Sequence, residues 1–176
     1  MVGHYIMSTF GIMSTFRILS TVGIMSTVGH YIEIITERGP AMKKVLVVDG
    51  QGGRFGSAII SRIIEAKISC NLVAVGTNSV ATAAMIKAGA ELSATGENPV
   101  IFNARDADVI MGPMGIIAAN SFLGELSPAM SLAISQSGAL KILIPVNKCN
   151  IYVPGVDEET LTQLLDGAVA KLKSVI

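Results

Sequence analysis

VVDGQGGRFG, Val47 to Gly56, is the stretch that decides the fold. It closes a β-branched run that begins at Lys44, and Gly50, Gly52, Gly53 and Gly56 follow directly. A short apolar run of this kind predicts a buried parallel strand over Lys44–Asp49. The glycines predict a tight strand-to-helix turn whose backbone N–H groups can approach a phosphate at a helix N-terminus. The strict G-x-G-x-x-G template fails, because its third glycine falls on Phe55; G-x-x-G-x-x-G fits Gly50, Gly53 and Gly56. Two readings stay open: an anion or nucleotide site, or a turn that binds nothing. Asp49 at the mouth repels a diphosphate unless a cation intervenes. It can bind Mg²⁺ beside a phosphate, or accept N–H groups from its own turn, which is the cheaper arrangement.

Outward from the turn, strands and helices alternate. Ser57–Lys67 carries apolar residues at 59, 60, 63 and 64, one helical face. Asn71–Val75 is a second strand ending at Gly76, and Asn78 or Ser79 caps a helix through Lys87 that Gly89 stops. Glu97–Ala104 reads as a short helix, and Asp108–Met111 as a strand closed by Gly112-Pro113. Ser127-Pro128 opens a helix to about Ser137, and Lys141–Val146 is a further strand. A last helix from about Asp157 to Ser174 has acids in its first turn and lysines in its last. The alternation implies an α/β fold: a single Rossmann-like, doubly wound parallel sheet in three α/β/α layers over residues 42–176.

Residues 1–41 differ. IMSTFG, IMSTFR, ILSTVG and IMSTVG follow one another with a six-residue period. That is little more than one coil of a β-helix, too little to bury a face, and Ser-Thr in every repeat keeps it only mildly apolar. The segment reads as a low-complexity leader outside the fold, with a weak anchor or a β-prone tail as the alternatives. A chain shortened to begin at Met42 should therefore melt at an unchanged temperature and be more soluble. A fall of more than a few degrees would show the leader packing on the domain.

The 176 residues are half hydrophobic and carry 13 acids against 13 bases, so there is no basic patch for nucleic acid. No membrane span or secretory signal is evident, and Cys70 and Cys149 suit reduced thiols in a cytoplasmic protein. His4 and His30 are the only histidines, which leaves the domain without Ser-His or Cys-His chemistry or a histidine-ligated metal. Four of the nine methionines, at 85, 111, 114 and 130, suit a homodimer face or a Met-rich core equally.

GGRFGSAIISRIIE resembles the nucleotide-binding turn of extended short-chain dehydrogenases and their NmrA-like relatives, and VAVGTNSVATAAMIKAGAE their second strand and helix. The resemblance implies a nucleotide held by Gly50, Gln51, Gly52, Gly53, Arg54, Phe55 and Gly56, with Gly76, Thr77, Asn78, Gly112 and Pro113 beside it. NAD, NADP or another nucleotide fits that expectation. Gly76-Thr77-Asn78 offers neither an acid for the ribose nor an arginine for a 2′-phosphate, so little preference between NAD and NADP is expected. The Tyr-x-x-x-Lys pair of that superfamily is absent, since Val156 stands four residues after Tyr152. Across the whole stretch from Met42, VVDGQGG, GTNSVATAAM, TGEN, GPMGI, GELSPAM and IPVNKCN resemble the bacterial family catalogued as domain of unknown function 3842. That resemblance implies a compact Rossmann-like protein and no established activity.

Polar residues gather in or after strand ends, where such folds bind ligands. Asp49, Glu97, Asn120, Glu125 and Asn147 are the candidates for contacts with a polar metabolite, with Asn98, Ser121, Lys148 and Asn150 nearby. Each also has an architectural explanation, as a cap, a turn former or a solvated charge. Three functions follow: a module binding a phosphate-bearing small molecule without assigned catalysis, a small enzyme using Asp49, Glu97 or Glu125, or a structural protein with no ligand.

Overall fold

The computed structural model describes residues 42–145, 151–154, 156 and 160–176. Its frame is a parallel sheet. Strand β1 (Lys44–Asp49) lies at the centre, paired with β2 (Asn71–Gly76) on one side and β4 (Val109–Pro113) on the other. β3 (Leu92–Thr95) adds to β2 and β5 (Leu140–Ile144) to β4, giving the order β3-β2-β1-β4-β5. The order reverses between β1 and β4, which makes the carboxyl ends of those two strands the place where a doubly wound sheet opens a crevice.

Side chains of a strand alternate between faces, and β1 shows it. Val45 and Val47 enter one core with Ile59, Ile60, Ile63, Met85, Leu165 and Leu172. Leu46 and Val48 enter the other with Val100, Ile110, Leu126, Met130 and Ile134. The first core lies under helices α1 (Arg54–Glu65), α2 (Ser79–Lys87) and α5 (Leu161–Lys173). The second lies under α3 (Glu97–Ala104) and α4 (Pro128–Gln136). The result is an α/β/α three-layer domain.

Several elements depart from the sequence reading. β3 is an edge strand whose residues are mostly exposed, so it carries no apolar run to betray it. α1 begins at Arg54 rather than Ser57, because Gly53 takes a left-handed conformation at its N-cap and the turn becomes helical at once. β4 runs on through Pro113, past the expected end at Met111. β5 is Leu140–Ile144, and the expected end at Val146 lies outside the described residues. α5 begins at Leu161, where Thr160 and Gln163 form a reciprocal capping box, rather than at Asp157. The acids of the expected first turn, residues 157–159, lie outside the described residues, and Lys171 and Lys173 stand in the last turn as expected. Residues 1–41 also lie outside the described residues.

Candidate functional site at the reversal of strand order

Asp49 has the parity of Val45 and Val47, so its side chain turns toward α1 and beneath that helix's first turn. It is 2% exposed. Its Oδ1 accepts from Gly50 N–H at 2.8 Å and its Oδ2 from Gly56 N–H at 2.7 Å. Burial pushes the carboxyl above the ordinary aspartate range; the N–H groups of Gly56, Gly50 and Phe55 pull it back, and the charge of Glu125 adds to the rise. Asp49 thus takes the cheaper of its two expected roles, accepting the N–H groups of its own turn. It satisfies from below a donor that helix N-termini usually offer to a bound anion.

The glycines divide the remaining work. A Cβ on Gly53, at φ 67°, would come within 2.7 Å of Ala81 Cα and Ala81 O on α2. A Cβ on Gly56 would meet Met85 Sδ at 2.6 Å and Asp49 Cβ at 2.9 Å. These two glycines let α1 approach α2 and the sheet; they are packing positions. Gly50 lies under the loop that follows β4, where a Cβ would meet Phe122 and Thr77 Oγ1, both at 2.8 Å. Gly52 differs from all of these: it is exposed, and nothing lies within 4 Å of an added Cβ. Gly76 is hemmed in by Thr82, and Gly112 by Val48 O.

The loop after β4 brings in a residue from far along the chain. Asn120, Phe122, Leu123 and Gly124 all have positive φ, so the chain coils tightly; Asn120 N–H donates to Leu126 O at 2.8 Å, and Leu126 is fully buried. Glu125 is thereby carried across the end of β1 to the end of β2. There its Oε2 accepts from Thr77 Oγ1 at 2.6 Å, Asn78 Nδ2 at 2.7 Å and Gln51 N–H at 2.7 Å. Asn78 also caps α2, its Oδ1 accepting from Ala81 N–H at 2.8 Å. Partial burial pushes Glu125 up, but the bonds from Thr77, Gln51 and Asn78 outweigh it and hold the carboxyl below the ordinary glutamate range.

Between the β1 turn and the β4 loop lies a cleft of about 710 Å³. On one side stand Asp49, Gly50, Gln51, Gly52, Arg54 and Phe55; on the other, Pro113, Ala118, Ala119, Asn120, Phe122 and Leu123. Arg54 is exposed and forms no ion pair or hydrogen bond from its guanidinium among the described residues. Its own N–H and that of Gly52 also have no protein partner there. Apart from Asn120 and Ser121 the opposite wall is apolar, with Leu123 98% exposed.

Of the expected site residues, the structure brings Asp49, Gly50, Gln51, Gly52, Arg54, Phe55, Pro113 and Asn120 to the cleft, and Thr77, Asn78 and Glu125 to the adjacent cradle; Gly53, Gly56, Gly76 and Gly112 do not line the cleft. Glu97 stands elsewhere, accepting from Ser127 Oγ and so linking the starts of α3 and α4. Asn147, with Lys148, Cys149 and Asn150, lies outside the described residues. Ala118, Ala119 and Phe122 carry no signal that sequence reading could have used, being ordinary apolar residues after a strand. No metal-binding group of three acids, cysteines or histidines occurs among the described residues, nor any helix long and apolar enough to cross a membrane.

The family model described as Domain of unknown function (DUF3842) matches residues 44–176. The chain belongs to this family. The match runs from β1 through α5, so every strand and helix given above is part of the DUF3842 domain. A search of curated proteins found no match. Among solved structures, the chain is distantly similar to the dodecameric FMN-dependent Ubix-like decarboxylase of Escherichia coli O157:H7. That match has 17% identity and a TM-score of 0.37, and it covers 76% of this chain and 92% of that one.

Proposed function

We propose that the DUF3842 domain binds a nucleotide, dinucleotide or similar phosphate-bearing metabolite in this cleft. The phosphate meets Arg54 and the N–H groups of Gly52 and Arg54, and a flat ring lies against Ala118, Ala119 and Leu123. The observation that carries this reading is Arg54. A cation without a partner among the described residues stands at the first residue of α1, beside two N–H groups likewise unpartnered there, where the strand order reverses. Such a helix start attracts anions, and an arginine fork suits phosphate oxygens. The apolar wall and the polar end give the cleft the divided character common in small-molecule sites. Asp49 does not point at the phosphate, because its two oxygens face the N–H groups of its own turn.

Calorimetry with AMP and NAD on the wild type, Arg54→Ala and Gly52→Ala tests the reading. Both positions are exposed and Gly52 has open space around it, so neither change should alter the melting temperature. Arg54→Ala should weaken binding by roughly ten- to hundredfold, as expected for losing hydrogen bonds to a charged group. Gly52→Ala puts a methyl where the phosphate sits and should weaken it too. Equal affinities across the three proteins, or no binding by any, would sink the reading.

A further inference from the structure

We propose that Glu125 reads the sugar of this nucleotide: its carboxylate accepts a ribose 2′,3′-diol at the end of β2 and selects against a 2′-phosphate or a 2′-deoxyribose. The inference rests on the binding reading above and adds to it the class of nucleotide.

In NAD-binding sheets of this order, an acid near the end of the second strand hydrogen-bonds the ribose hydroxyl. This chain has the neutral sequence Gly76-Thr77-Asn78 there. Thr77 and Asn78 instead hold Glu125, which comes from the loop after β4 and lies 48 residues beyond Thr77. Three donors converge on Oε2 and fix the side chain. Oε1 has no protein partner among the described residues, and a carboxylate offers about four acceptor sites in all. An oriented, half-buried carboxylate with one oxygen unbonded among the described residues has acceptor sites left for two neighbouring hydroxyls.

The spacing agrees with a single nucleotide. Gln51 N–H binds Glu125, and the next N–H along the chain, that of Gly52, has no hydrogen-bond partner among the described residues. Consecutive Cα atoms are about 3.8 Å apart, so a sugar at Glu125 and its 5′-phosphate at Gly52 are close neighbours. No lysine or arginine donates to Glu125, Thr77 or Asn78 among the described residues, so a 2′-phosphate would meet a carboxylate with no compensating cation.

Calorimetry with NAD and NADP, and with AMP and 2′-deoxy-AMP, on the wild type and Glu125→Gln is the test. The wild type should prefer NAD to NADP and AMP to 2′-deoxy-AMP by roughly ten- to hundredfold, the range for a hydrogen bond to a charged group. Glu125→Gln should narrow both ratios to within about threefold, chiefly by losing NAD and AMP affinity. Equal wild-type affinities within each pair, still dependent on Arg54, would overturn the role of Glu125 and leave the phosphate site standing. Tighter NAD binding by a folded Glu125→Gln would also overturn it, showing that Glu125 merely plugs the cradle. Binding of none of the four would overturn the site and the inference together. Circular dichroism checks the variant's fold, and the wild-type ratios decide the matter if it fails to fold.

Discussion

Gly53→Val is expected to destabilise the domain by about 3–5 kcal/mol, the range of substitutions that combine backbone strain with a core clash. Gly53 sits at φ 67°, a conformation that costs an ordinary residue about 1–2 kcal/mol. An added Cβ would also lie 2.7 Å from the Ala81 backbone, and a helix cannot swing aside as a long side chain can. Either α1 moves away from α2 or the first turn of α1 is rebuilt. Urea unfolding should show a lower midpoint with an unchanged slope, whatever ligand is present. Wild-type stability in Gly53→Val would mean that the two helices are not in contact at this glycine.

Asp49→Ala should cost about 2–4 kcal/mol, because it leaves the Gly50 and Gly56 N–H groups buried without an acceptor, at about 1–3 kcal/mol each. The cost should depend on pH in a direction that follows from the raised carboxyl. The folded state holds the Asp49 proton more tightly than the unfolded chain does. The side chain's contribution is therefore fully present below its ordinary value of 3.8 and declines as pH rises through the raised folded value. Glu125 runs the other way. Its folded value is lowered, so what it contributes is present above its ordinary 4.5 and is lost as pH falls through the folded value. Unfolding curves of the wild type, Asp49→Ala and Glu125→Gln at several pH values should show the first gap shrinking with rising pH and the second growing. Parallel pH profiles would show that neither carboxyl titrates differently in the folded protein.

The parts of this structure legible in the sequence are those whose cause is local. β1 is a β-branched run, α4 announces itself with Ser127-Pro128, and α2 with Asn78; each is marked by residues within a turn of where it begins. The glycine turn was legible as a turn. The separate duties of its glycines were not, since Gly53 and Gly56 answer to Ala81 and Met85 on a helix that sequence cannot place against them. β3 was hidden because an exposed edge strand has no need of an apolar pattern. Glu125 stood among the candidate polar residues, but its position beside Thr77 depends on four left-handed residues in the β4 loop. Asn120 and Gly124 suit that conformation, but Phe122 and Leu123 rarely adopt it, so the letters alone do not mark the coil.

The reach of the Asp49 side chain has a consequence for how this protein can change over time. One carboxylate spans from the last residue of β1 to the third residue of α1, touching the N–H groups at both ends of the turn. Substitutions at the exposed positions 51, 52 and 54 leave that span as it is. An insertion or deletion anywhere from Gly50 to Phe55 does not, because it moves Gly56 N–H away from the Asp49 carboxyl that satisfies it. The turn can therefore drift in its letters while its length stays fixed. New binding preferences at this site should arise by point substitution here, and by changes of length only in the loop across the cleft.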